Sequence, residues 1–185
     1  GFGQGSTLGG SVTHVVGDAA TVMDSSVEVF DAELDQNDDY GGATLTLARS
    51  GGANADDDFA GTGNLGPLAD GNDLILGENS IGEVALTGGQ LVLTFWPGVT
   101  RADVSEVLSS LAYKYIGTGV PPVQVDIEWT FSDGGPGAPQ SAIGQTTIYL
   151  TPGAGPSTFT FDWSDRETKL TTSDPDSLAN IIFDA

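Results

Sequence analysis

Apolar residues recur at every second position in several short stretches of this 185-residue chain. In 43–48 (ATLTLA), 91–95 and 123–131 that period-two pattern puts one face of an extended strand in a core and the other in water. Leu45, Leu47, Leu93, Phe95, Ile127, Trp129 and Phe131 are the core positions this predicts. Shorter stretches at 12–16, 20–23, 26–30, 74–76, 83–86 and 146–150 read as further strands, and Thr87-Gly88-Gly89-Gln90 reads as a hairpin turn. One segment has helical form: Thr100 and Asp103 make a capping box, and Ala102, Val104, Val107, Leu108 and Leu111 give a mostly apolar face to a short helix over about 101–110. The segment 51–71 is expected to be one long loop. With 27 Gly and 9 Pro marking turns throughout, the fold class is all-β, a sandwich with one short helix and extended arms at its ends.

The organisation reads as three parts. Residues 1–16 are a Gly-rich arm (GFGQGSTLGG) leading into a first strand, 17–151 are the sandwich, and 152–185 are a linker (PGAGP) with an aromatic C-terminal strand and tail. In that strand, 157–163, Phe159, Phe161 and Trp163 fall on one face. So large an apolar row needs a partner sheet, in its own domain or in a neighbouring copy, which makes these three the strand-insertion residues.

Charge changes the picture most. The chain carries 26 Asp and Glu against five Lys and Arg, a formal net charge of -21. Such a field repels nucleic acid and anionic membrane surfaces, and it opposes compaction unless cations or salt offset it. No apolar run approaches the ~20 residues of a membrane-spanning helix, so membrane insertion is not expected. The absence of cysteine excludes disulfides and thiolate metal or catalytic chemistry. No Gly-x-Ser-x-Gly elbow is present and His14 is the lone histidine, expected to be an ordinary surface or strand residue, so the chain reads as a non-enzyme.

The carboxylates gather where strands end, at Asp31, Glu33 and Asp35 after Phe30 and at Asp133 after Phe131. Oxygen ligands of this kind suit Ca²⁺, and a solvated acidic turn is the alternative reading. The run Asp56-Asp57-Asp58 reads as a solvated loop. Gly71-Asn72-Asp73-Leu74-Ile75 copies half of a calcium-roll nonapeptide once, and a roll needs stacked copies, so an Asn/Asp turn before a strand is expected there.

The quoted segments, in order, resemble a recurring module of very large bacterial surface proteins, the cadherin-like domains of RTX-type adhesins. The likeness rests on VFDAELD at 29–35, YGGATLTL at 40–47, GGANAD at 51–56, TRADV at 100–104 and the segment 121–134, covering roughly 17–150. It implies a cadherin/Ig-like Greek-key β-sandwich, extracellular or at the cell surface, that serves as an adhesive or matrix module and is stiffened by Ca²⁺. It tips the choice at Asp31, Glu33, Asp35 and Asp133 toward metal. The chain departs from the family at 151–156 (TPGAGP), where an Asn-Asp calcium linker is usual. A self-assembling filament or surface-layer subunit joined by strand insertion is therefore a second expectation. A carbohydrate-binding domain, with Trp96, Trp129 or Trp163 as a sugar platform, is a third. The partners implied are neighbouring copies or domains of the same protein, and surface glycans under the third reading.

Overall fold

Most of the predicted alternation becomes ladder. The computed structural model describes residues 8–134 and 141–153, with the backbone of 160–162 and 169–171. In chain order the elements are β1 (Gly9–Val15), β2 (Thr21–Val22), a 3-10 turn (Leu34–Gln36), β3 (Thr44–Arg49), β4 (Asp57–Gly61), β5 (Asp73–Leu76), β6 (Asn79–Thr87), β7 (Gln90–Phe95), α1 (Arg101–Ser109), β8 (Leu111–Tyr115), β9 (Gln124–Ser132), β10 (Ser141–Thr151), β11 (Thr160–Asp162) and β12 (Lys169–Thr171). The chain divides after Thr151 into two units.

The first unit is all-β and sandwich-like. A seven-stranded sheet runs β1-β10-β9-β3-β7-β6-β5, and a three-stranded sheet runs β2-β8-β4. One core lies between them. Leu45, Leu47, Leu93, Ile127, Trp129 and Phe131 are wholly buried and Phe95 nearly so, and Phe59 and Tyr113 of the smaller sheet join the same cluster. Each large side chain so withdrawn contributes roughly 1.5–3 kcal/mol. Phe131 sits at the centre of the aromatic packing, 6.2 Å from Tyr40 and 6.4 Å from Phe95 between ring centres. In the second unit, β11 pairs antiparallel with β12.

The helix forms as its residues dictate. The Thr100 side chain accepts from the Asp103 N–H while the Asp103 carboxylate accepts from the Thr100 N–H, and Val104, Val107 and Leu108 are buried. The hairpin also forms, with Thr87 opposite Gln90. Its two central residues take φ of +60° and +82°, which only glycine adopts freely. At Gly89 a Cβ would also run into the carbonyl of Asn54, whereas at Gly88 it would meet open space. Gly89→Ala should therefore cost more than Gly88→Ala, about 1–3 kcal/mol for the backbone conformation plus the displacement of Asn54. Urea denaturation of the two variants measures the difference.

Three expectations are corrected. Residues 26–30 do not form a strand, although Glu28 is a single bridge residue: Val27 and Val29 are buried at alternate positions, and the Val29 N–H goes to the Ser105 hydroxyl on α1. The alternation of burial is real, and both valines belong to the core, but it lies outside any strand. The segment 51–71 is not one loop, because β4 lies inside it and pairs with β8. Gly9 and Gly10, read as part of the N-terminal arm, already belong to β1 opposite Gln145 and Thr146.

Candidate functional site: an acidic corner, a buried charge network and a parallel edge

The loop between Asp31 and Gly42 wraps the N-terminus of α1, and its carboxylates act chiefly on backbone donors. Asp31 Oδ1 accepts from the N–H groups of Glu33 and Leu34 at 2.8 and 3.1 Å, starting the 3-10 turn. Asp38 accepts from the Arg101 N–H at 2.8 Å, placing a negative charge at the helix N-terminus. Asp39 accepts from Gly98 and Gly41, and those two N–H groups hold its carboxyl below the usual carboxylate range. Asp35 takes the Tyr40 hydroxyl at 2.7 Å and faces Arg101 at 3.5 Å, while Arg101 lies over the Phe30 ring. Glu28, Asp35, Asp38, Arg101, Ala102 and Ser105 line an open cleft of about 570 Å³ here.

Of the four expected metal ligands, Asp31 and Asp133 are buried, Asp35 is half-buried and Glu33 is exposed. They are not drawn into one shell: among the described residues no group of three or more His, Cys, Asp or Glu is placed to hold a metal ion. Among the described residues, Asp31 Oδ2 is a buried carboxylate oxygen that has no hydrogen-bond partner, and that fits a cation. A lone carboxylate oxygen left in that state costs free energy that a cation would recover.

Sequence reasoning missed the most tightly bound charges. Asp57, expected in a solvated run, is 2% exposed. Arg49 at the end of β3 grips it with two hydrogen bonds, from Nε at 2.9 Å and from Nη2 at 2.6 Å, and Tyr113 donates to the same carboxylate at 2.7 Å. The Asp57 bond raises the Arg49 pKa, and burial, reinforced by Asp57, pushes the Tyr113 phenol well up. Tyr40 is raised in the same way, by burial first and then by its bond to Asp35. A phenol whose folded-state pKa exceeds its unfolded value of ~10 contributes stability that is intact below that pH and is lost as pH rises through the folded value. Tyr40 and Tyr113 should thus ionise together with unfolding, not ahead of it, when phenolate absorbance and near-ultraviolet circular dichroism are followed in one alkaline titration. The signal available in the sequence was the Asp57-x-Phe59 alternation, with Arg49 as one of five basic residues.

A third feature is the edge where the chain enters and leaves the first unit. β1 pairs with β10 in parallel over seven residues, Gly9 opposite Gln145 through Val15 opposite Thr151, and the Val16 N–H adds a bond to the Thr151 carbonyl. Chain preceding Gly9 and chain following Thr151 therefore depart from opposite ends of this ladder, roughly 20 Å apart at about 3.3 Å per residue.

The remaining candidates are placed as follows. Asp73 opens β5 and accepts from the Ser80 hydroxyl, and the preceding Asn72 carbonyl accepts from the Val84 N–H, so 71–75 is a turn leading into a strand. Trp129 is wholly buried, with its Nε1 donating to Thr146 at 2.9 Å, and offers no sugar platform; Trp96 is half-buried. Phe159 and Trp163 lie outside the described residues, as does the linker 154–156. Phe161 is in β11, its backbone opposite Leu170. No described helix is long and apolar enough to cross a membrane. Comparisons with protein-family models, with curated proteins and with solved structures gave no match to this chain.

Proposed function

We propose that the chain is a structural module of an extracellular adhesive or matrix protein, non-enzymatic, whose work is to carry tension. The observation that carries this reading is the parallel pairing of β1 with β10. Tension entering before Gly9 and leaving after Thr151 runs along both strands in opposite senses, so it shears the ladder. Hydrogen bonds loaded in shear must fail together, whereas an antiparallel hairpin opened from its end fails one pair at a time. A Val12→Pro substitution removes one donor and restricts the backbone in the middle of β1. If the ladder is the clamp, single-molecule pulling of the full chain by its ends should show a clear fall in rupture force for this variant. An unchanged force would sink the reading.

Calcium belongs to the same proposal as the counter-charge of a chain with net charge -21, with the partnerless Asp31 Oδ2 as its inner ligand. A cation present at ~100 times its Kd adds about 2.7 kcal/mol. The melting temperature should therefore rise by several degrees in Ca²⁺ over Na⁺ at equal ionic strength, and Asp31→Asn should reduce the rise. Equal melting curves for the wild-type protein would refute calcium stabilisation. The pairing of β11 with β12 gives the aromatic strand a local partner on one edge, which favours this reading over donation of that strand to a neighbour.

A further inference from the structure

His14 is the only histidine in the chain, and it is wholly withdrawn from solvent. It lies on β1, yet its ring reaches the other sheet. Nδ1 is 3.0 Å from the Thr21 hydroxyl next to β8, and Nε2 is 3.3 Å from the backbone nitrogen of Tyr115 on β8. A backbone N–H can only donate, so Nε2 must present its lone pair, and the ring proton is assigned to Nδ1, which donates to Thr21. The ring also stands edge-on to Tyr113 at 5.7 Å. Neutral imidazole satisfies every one of these neighbours. Imidazolium would point a second N–H at the Tyr115 N–H and bring a charge into a site without an acceptor for it.

The charged and titratable groups around the ring do not reverse this. β1 has no other ionisable side chain. Asp18, in the turn that follows, favours the charged form, and Lys114 on β8 opposes it. From β8 the Tyr113 ring and the Tyr115 backbone face the imidazole, and the Tyr113 hydroxyl donates to Asp57, whose charge is paired with Arg49. On β10 the register partner is Leu150, and the adjacent Tyr149 is exposed. Burial is the largest influence and lowers the His14 pKa from the usual imidazole value.

We propose that His14 is an acid-sensitive latch on β1. In its neutral form it ties the first strand to β8 while β10 holds it from the side; protonation frees β1 and uncovers the edge of β10. The inference stands on the geometry of the ring and holds whether or not the unit carries tension. Because the folded-state pKa lies below the unfolded value of ~6.5, the released state binds the extra proton. The latch is closed above that pH and weakens as pH falls below it, the opening equilibrium growing by up to about tenfold per pH unit until the folded value is reached. Ordinary carboxylates, with pKa values near 3.9–4.3, remain ionised through most of this window.

With one histidine, the imidazole proton resonance is unambiguous. Its titration in the folded protein should give a pKa below ~6.5, and amide exchange between about pH 7.5 and 5.5, corrected for intrinsic rates, should show β1–β10 protection falling while β3–β7 protection holds. His14→Gln keeps a carbonyl acceptor for the Tyr115 N–H without titrating, and should remove the pH dependence. A His14 pKa at or above the ordinary value, β1 protection that is flat with pH, or a His14→Gln protein that retains the wild-type pH dependence would each overturn the proposal. If that variant does not fold, the wild-type titration and exchange decide alone.

Discussion

Trp129→Ala is expected to lower the unfolding free energy by about 3–5 kcal/mol, the range for an aromatic side chain truncated in a core. The upper part of the range applies here for two reasons. Trp129 is wholly buried on β9, paired with Leu47 of β3 on one side and Gly144 of β10 on the other, so the surrounding strands cannot close over the space it leaves. Its indole N–H also holds the Thr146 hydroxyl, which is itself fully buried and would lose its donor. Equilibrium urea denaturation reads the loss directly, with Trp129→Phe as the comparison that keeps most of the volume and loses the hydrogen bond. A cost under about 1 kcal/mol for the alanine variant would mean that Trp129 is not central to the core.

Asp57→Ala is expected to cost about 3 kcal/mol or more, because it leaves Arg49 and Tyr113 facing an apolar gap without their shared acceptor. The lower part of the 3–5 kcal/mol range for a broken buried pair is appropriate, since the Arg49 side chain keeps 21% of its exposure and can be partly rehydrated. Replacing both partners, as in Arg49→Met with Asp57→Leu, should recover much of the loss, because no uncompensated charge remains. If the double variant is as unstable as Asp57→Ala, the network stabilises through geometry and not through charge balance.

How far the fold was legible follows from which strands are one-sided. β3, β7 and β9 each have one face in the core and one toward water, so their alternation gave both the strands and the buried residues, including Leu45, Phe95 and Trp129. β8 was not legible. It is the middle strand of its sheet, Leu111, Ala112 and Tyr113 are buried in succession, and a strand covered on both faces shows no alternation. β4 was obscured because an inward carboxylate, Asp57, occupies a position that the pattern would assign to an apolar residue. Its partners explain the choice: Arg49, on a strand of the other sheet, and Tyr113 on the neighbouring β8. The opposite failure occurred at Val27 and Val29, where a period-two pattern of burial lies outside any strand.

The acidic corner was legible as a place but not as an assembly. Sequence spacing brought Asp31, Glu33 and Asp35 to the end of an expected strand, and the structure places them in a loop around the 3-10 turn Leu34–Gln36 with no strand before it. Spacing could not show that Asp31 Oδ1 would cap a 3-10 turn, that Asp35 would be taken by Tyr40 and Arg101, or that Asp38 would face the start of α1. Backbone N–H groups compete with metal ions for carboxylate oxygens, and that competition is settled by where the loop runs. The parallel union of β1 with β10 was equally hidden. A first and a last strand with no charged side chain between Gly9 and Val15 give no sequence mark of their partner or of its direction.

The direction of loading tests the account most directly. In one attachment the full chain is pulled by its ends, which shears β1 against β10. In the other it is pulled through cysteines introduced at Gln124 and Tyr149, opposite one another at the open end of the β9–β10 pair, which peels that pair apart. The account predicts that end-to-end rupture needs several times the force of the peel and that the difference narrows when Val12 is replaced by proline. Equal forces in the two directions, or a weaker end-to-end rupture, would contradict it.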